Sequence, residues 1–256
     1  MLLAYDGFHY HGWQIQTSHN TIEAELEKAI QTLTGKKVKI CGAGRTDAQV
    51  HALNQTASFF SDADFSPLKW RTALNAVLPS DITVKSVLAV PECFHARHNS
   101  IAKRYRYLIF NHPFPSPFSP HYSWWIQKPL DLAAMKEAAR YFIGEHDFSA
   151  FRSSQCSSPS PVKNIKEISI RSEDTPIQSL SIEIEANSFL QHMVRIIVGT
   201  LVDVGQHRFS PESILQMLKS RDRQKSGKTA PPYGLYVLSV IYKSHEIQWP
   251  SSTLSQ

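Results

Sequence analysis

No stretch of this chain approaches the ~20 consecutive apolar residues that a membrane-spanning helix needs, which excludes an integral helical membrane protein. Cysteine is scarce. Cys41, Cys93 and Cys156 are too few and too scattered for a disulfide framework or a CxxC zinc site, and they read as buried free thiols. The opening Met1-Leu2-Leu3-Ala4-Tyr5-Asp6 has no basic n-region and meets an acid at once. That is not a signal peptide, so the expected address is the cytoplasm. Gly42 and Gly44 form a GxG, but the Gly-Lys-Ser/Thr of a phosphate loop does not follow. His9-Tyr10-His11 and His95-Ala96-Arg97-His98 have spacings seen in metal sites, yet no cysteine or regularly spaced acid accompanies them. They read as surface or hydrogen-bonded histidines, and no metal is expected. No sequence repeat relates the two halves of the chain.

What is present is a globular composition. Of 256 residues, 42% are hydrophobic and 19% charged, enough to bury at least one large core. A net charge of +5 permits a polyanionic partner without requiring one. The cations are unevenly spread: Lys103, Arg104 and Arg106 share one segment, and Lys219, Arg221, Arg223, Lys225 and Lys228 crowd another.

Five helices are expected. Asn20 with Glu23 reads as a capping box ahead of the stripe Ile22, Leu26, Ala29, Ile30 and Leu33. Ser66-Pro67 opens a second helix running towards Val77, and Asp131 caps a third that stops at Gly144. A fourth is expected from about Phe189 to Val204, ending at Gly205, and Ser210-Pro211 opens the fifth. Strand-like runs lie at 37–41, 56–60, 82–90, 103–110, 165–171, 180–185 and 235–242. In 180–185, Ile182 and Ile184 alternate with Glu183 and Glu185, so one sheet face is wet or polar. Each half therefore holds about two helices among about four strands. The division expected is 1–100 and 101–244, with a tail at 245–256.

Candidate chemistry concentrates in Gly42-Ala43-Gly44-Arg45-Thr46-Asp47-Ala48-Gln49-Val50-His51-Ala52. An acid in a glycine-bounded loop at a strand end suits a nucleophile or base held by a rigid scaffold. Taken alone, the local pattern favours the plainer alternative, a turn acid bonding its own backbone.

The segment closely resembles the GRTDAGVHA motif of the TruA family of tRNA pseudouridine synthases. Further matches run along the chain in family order: Tyr5-Asp6-Gly7-Phe8 with Gly12-Trp13-Gln14, Phe94-His95-Ala96-Arg97, and Arg104-Tyr105-Arg106-Tyr107. Gly144-Glu145-His146-Asp147-Phe148, His192-Met193-Val194-Arg195 with Gly199, Thr229-Ala230-Pro231, and Gly234-Leu235-Tyr236 complete the series. The resemblance implies an α+β fold of two ferredoxin-like subdomains forming a continuous, mostly antiparallel sheet, with an active-site cleft between them. It also implies a homodimer acting on uridines 38, 39 and 40 of the tRNA anticodon arm. The isomerisation breaks the uracil N1–C1′ bond and forms a C5–C1′ bond, with no redox change and no cofactor.

By the same resemblance Asp47 is the nucleophile or base, and Arg195 its basic partner. Tyr105 lies against the target base, Leu235 lines the pocket, and Arg45 replaces the flipped nucleotide, whose extrusion costs a few kcal/mol. The plainer alternative for Tyr105 is an aromatic packing residue on a strand, and Tyr107, two positions on and on the same face, could as easily fill that role. Lys103, Arg104 and Arg106 flank Tyr105 as phosphate contacts. The segment 219–228 grips an RNA arm or is a solvated loop. The rival readings are an RNA-binding protein of this fold without catalysis, a synthase for another RNA, and a metal-dependent hydrolase.

Three departures from the family pattern stand out. Gln49 replaces a glycine, which would cost roughly 1 kcal/mol if φ there is positive. Gln191 and Ile196 replace a histidine and an asparagine beside Arg195. The family carries several more residues ahead of its Tyr-Asp-Gly motif, so Met1 reads as a misplaced start.

Overall fold

A computed structural model describes residues 1–172, 179–243 and 246–250; most of the expected tail lies outside them. In chain order the elements are β1 (Leu2–Tyr5), α1 (Ile22–Thr34), β2 (Ile40–Gly42), β3 (His51–Phe59), α2 (Pro67–Val77), β4 (Ile82–Ser86) and β5 (Ala102–Asn111). Then come β6 (Trp124–Ile126), α3 (Leu132–Arg140), β7 (Gly144–Asp147), β8 (Val162–Ser172), β9 (Ser179–Ala186), α4 (Met193–Gly205), α5 (Ser213–Ser220) and β10 (Leu235–Ile241). They group into two compact units: residues 1–101 together with those from Tyr236 onward, and residues 102–235.

The first unit is a βαββαβ arrangement. β4 and β3 pair antiparallel with β1, β2 pairs antiparallel with the end of β3, and β10 runs parallel to its start. This is the ferredoxin-like plan with one strand added. α1 follows from Ile22, Leu26 and Ile30 on one buried face, and it ends at Gly35, whose N–H bonds Gln31 O. The expected capping box is not formed. Thr21 is the N-cap residue without a side-chain cap bond, and the Glu23 carboxylate instead accepts from Ile15 N–H at 3.0 Å. α2 begins as expected, with Ser66 Oγ accepting from Lys69 N–H and Pro67 at its first turn; Trp70 and Leu74 face the core.

The second unit has the order β5-β9-β8-β7, antiparallel throughout, with β6 parallel to β5. Asp131 caps α3 by accepting from Ala133 and Ala134. Helix α4 starts at Met193 rather than Phe189, because His192 takes a left-handed conformation at φ 63° and ends the preceding turn. Gly144, expected as a helix stop, opens β7 at φ 103°. The three thiols are free, but the expectation that they are buried fails: Cys93 is exposed and the other two are half-buried. Among the described residues no helix is long and apolar enough to cross a membrane.

Candidate active site

Asp47 lies in a loop of the first unit, residues 43–50, between β2 and β3. Bonds fix this loop on both sides of the acid. Ala43 N–H donates to Thr56 O at 2.8 Å and Gln55 Nε2 to Gly44 O at 2.9 Å. Past the acid, Gln49 N–H donates to Tyr10 O at 3.1 Å. Thr46, the residue before Asp47, is held twice: its hydroxyl pairs with the Tyr5 hydroxyl at 3.0 Å, and its carbonyl accepts from Trp13 N–H at 3.1 Å. Burial pushes the Tyr5 phenol up to about 12, so it remains a neutral hydrogen-bonding group at physiological pH. Asp47 is half-buried and Arg45 exposed.

The Tyr5-to-Trp13 segment therefore braces the catalytic candidate, which explains why both motifs occur together. Gly12 makes the close approach possible. It sits at φ 92°, and a Cβ there would lie 2.4 Å from Thr46 O. His51, just past the loop, is buried. Its Nδ1 lies 3.1 Å from Gly7 N and 3.0 Å from Asp6 Oδ1, and its ring stacks on Tyr236 at 4.8 Å. Gln49 adopts φ 65°. The position thus needs the left-handed conformation, and glutamine bears a cost of about 1 kcal/mol that glycine would not.

In the second unit, β5 presents two different faces. Tyr105 pairs across the sheet with Ile184, whereas Arg104 and Arg106 pair with Glu185 and Glu183. Arg104 Nη2 is 2.6 Å from Glu185, and Arg106 Nη2 is 2.7 Å from Glu183. Burial alone would raise the Glu185 carboxyl, but Arg104 and Lys166 outweigh it and hold it below its ordinary value. The polar face expected from the 180–185 alternation is thus a set of ion pairs. By strand alternation Lys103 shares Tyr105's face, while Arg104 and Arg106 lie on the opposite one. Of the two tyrosines, Tyr107 is fully buried and donates to Pro231 O at 2.8 Å. That makes it the packing residue. Tyr105 meets the edge of Phe189 at 5.0 Å.

Every residue of α4 except Arg195 is buried. Arg195 Nε donates to Ala230 O at 2.8 Å, and Ala230 N–H donates back to Arg195 O at 3.0 Å. The partner segment runs against the helix because residue 199 is glycine: a Cβ there would fall 1.8 Å from Lys228 O. The role of Thr229-Ala230-Pro231 is not legible in the sequence, since a backbone carbonyl leaves no side-chain signature. Leu235, buried at the start of β10, follows a tight turn at Pro232–Gly234. Much of the basic 219–228 segment is engaged internally. Arg221 Nε is 3.0 Å from Asp147, Arg223 bonds residues 226, 227 and 229, and Lys228 Nζ sits 4.8 Å from the Trp124 ring centroid.

A positioned carboxylate in one α+β unit, and an arginine and a tyrosine in another, suit an enzyme acting on a nucleic-acid base. Residues 1–99 and 138–243 match the family described as tRNA pseudouridine synthase. The chain belongs to that family, and it is an isomerase acting on tRNA. It is 45% identical over 242 residues to tRNA pseudouridine synthase A of Thermoanaerobacter sp. (strain X514), covering 94% of this chain and 98% of that one. The same-named proteins of Acetivibrio thermocellus and Bacillus velezensis are 44% and 39% identical over 242 residues, covering 94% of this chain and 98% and 97% of theirs.

Proposed function

We propose that this enzyme converts uridines 38, 39 and 40 of the tRNA anticodon arm to pseudouridine, with Asp47 as its nucleophile or base. The observation that carries the reading is the bracing of Asp47: a half-buried carboxylate whose loop is bonded to fixed strands on both sides. Such a group is pre-positioned, and positioning is a large part of what a catalyst contributes. Asp47 attacks C1′, attacks C6 of uracil, or removes a proton from C2′; each route uses the same carboxylate.

In this reading Arg195 offsets the Asp47 charge, which would otherwise be costly to bury. Tyr105 holds the freed uracil while it turns, Leu235 closes the apolar side of the pocket, and Arg45 fills the space of the extruded nucleotide. Lys103, on Tyr105's face, contacts phosphate. Arg104, on the opposite face, holds Glu185 through Nε and Nη2 and is an ion-pair residue before it is a phosphate contact. The enzyme acts in the cytoplasm as a homodimer.

Pseudouridine formation on unmodified tRNA transcripts tests the reading. Wild type modifies positions 38–40, and Asp47→Asn and Asp47→Ala bind tRNA but form no product. A wild type without activity would leave an RNA-binding protein of this fold. An Asp47→Asn variant within about tenfold of wild type would remove Asp47 from the chemistry.

A further inference from the structure

Residues 226–235 form a strap that touches Arg195 and Tyr107 and ends at Leu235. Ala230 O accepts from Arg195 Nε, and the next carbonyl, Pro231 O, accepts from the Tyr107 hydroxyl at 2.8 Å. Tyr107 stands two residues from Tyr105 on the same strand face. The strap then runs into Leu235. One backbone segment therefore ties Arg195 on α4, Tyr107 on β5 and Leu235 together.

The strap itself is stapled from one side chain. Arg223 Nη1 donates to Ser226 Oγ at 2.9 Å and to Gly227 O at 3.0 Å, and its Nη2 donates to Thr229 Oγ1 at 3.0 Å. Two further bonds seat the same stretch: Gly227 N–H to Thr200 Oγ1 at 3.0 Å, and Ser226 Oγ to Ala150 O at 2.7 Å. Arg223 is half-buried. A planar fork with five donors can serve three acceptors at once, which a lysine ammonium cannot match in geometry.

We propose that Arg223 is a positioning residue for the isomerisation, holding residues 226–229 so that the Ala230 carbonyl aims Arg195 and the Pro231 carbonyl anchors Tyr107 on the strand that carries Tyr105. The proposal rests on the role given above to Arg195. It removes Arg223 from the set of tRNA phosphate contacts that its place in a basic segment suggests. A displacement of about 1 Å at a reacting group can cost on the order of 100-fold in rate, so loosening the strap reduces turnover without touching the substrate.

The test uses full-length Arg223→Gln, Arg223→Lys, Thr229→Val, Arg195→Met and the Arg223→Gln/Arg195→Met double variant. Single-turnover pseudouridine formation is measured at saturating enzyme, with tRNA affinity measured at several salt concentrations. Arg223→Gln is expected to slow turnover by about tenfold or more, with affinity within about twofold and an unchanged salt slope. Arg223→Lys recovers part of the rate, and Thr229→Val loses about threefold. The double variant loses less than the product of the two single losses, because part of Arg223's effect runs through Arg195.

A salt slope reduced by about one in Arg223→Gln would make it a phosphate contact and overturn the proposal. Losses that multiply in the double variant, or an unchanged rate, would overturn it too. If Arg223→Gln does not fold, Thr229→Val with its rate and affinity split decides the matter. Arg195→Met turning over like wild type sinks the reading of the site itself; a slow Arg195→Met beside a normal Arg223→Gln sinks only this inference.

Discussion

In the first unit the Asp47 carboxylate stands on a loop whose path is set mainly by backbone contacts, with Gly12 lying against Thr46. In the second, Arg195 stands on a buried helix, and a side-chain bond to the Ala230 carbonyl aims its guanidinium. The difference follows from side-chain length. An aspartate is short, so its backbone sets most of its reach; an arginine is long, so its head must be tied. Loss of close backbone packing should therefore be the main hazard in the first unit, and loss of a hydrogen-bond acceptor in the second.

The largest test of this contrast is steric. Gly12→Ala puts a methyl 2.4 Å from Thr46 O at a left-handed φ. It is expected to destabilise the fold by about 3 kcal/mol or more and to abolish activity. Gly199→Ala puts a methyl 1.8 Å from Lys228 O and so carries the Ala230 acceptor away from Arg195; its expected effect is lost turnover together with a similar loss of stability. Urea unfolding of both measures it, and a mild Gly12→Ala would break the claim that backbone packing places Asp47.

A middle-sized effect separates the faces of β5. Lys103→Gln should weaken tRNA binding and lower the salt slope by about one. Arg104→Gln instead leaves Glu185 without its closest partner, and should cost about 1 kcal/mol of stability with a nearly unchanged slope. Equal slopes in the two variants would erase the distinction.

The smallest effect is a gain. Gln49→Gly relieves a non-glycine residue at φ 65°. It should stabilise the protein by up to about 1 kcal/mol, offset in part by the extra freedom glycine has when unfolded. Thermal unfolding shows it, and a loss of stability would mean that the Gln49 side chain makes a contact that outweighs the strain.

Elements with strong local chemistry were readable from the residues. Ser66-Pro67 and Asp131 each cap the helix they announce. The Asn20/Glu23 pair misled because the carboxylate reached Ile15 across the loop instead of its own helix end. β7, Gly144–Asp147, is short and polar with no apolar alternation, so nothing in its sequence distinguished it from a turn. Asp47 stood out as a candidate only through the family resemblance, since locally a turn acid looks the same. Arg195 was readable as an odd charge on an apolar helix, but its acceptor was not, because the Ala230 carbonyl could belong to any residue.

β10 returns to the first unit after more than a hundred intervening residues, laying Tyr236 on His51 beside the Asp47 loop. During synthesis the N-terminal residues emerge first, and domains tend to fold in that order. Here the first unit must wait. Residues 1–101 can assemble their own helices and strands on the ribosome, yet the ring that covers His51 leaves it only after the whole second unit. A nascent chain therefore carries an unfinished Asp47 loop until the second unit has been made.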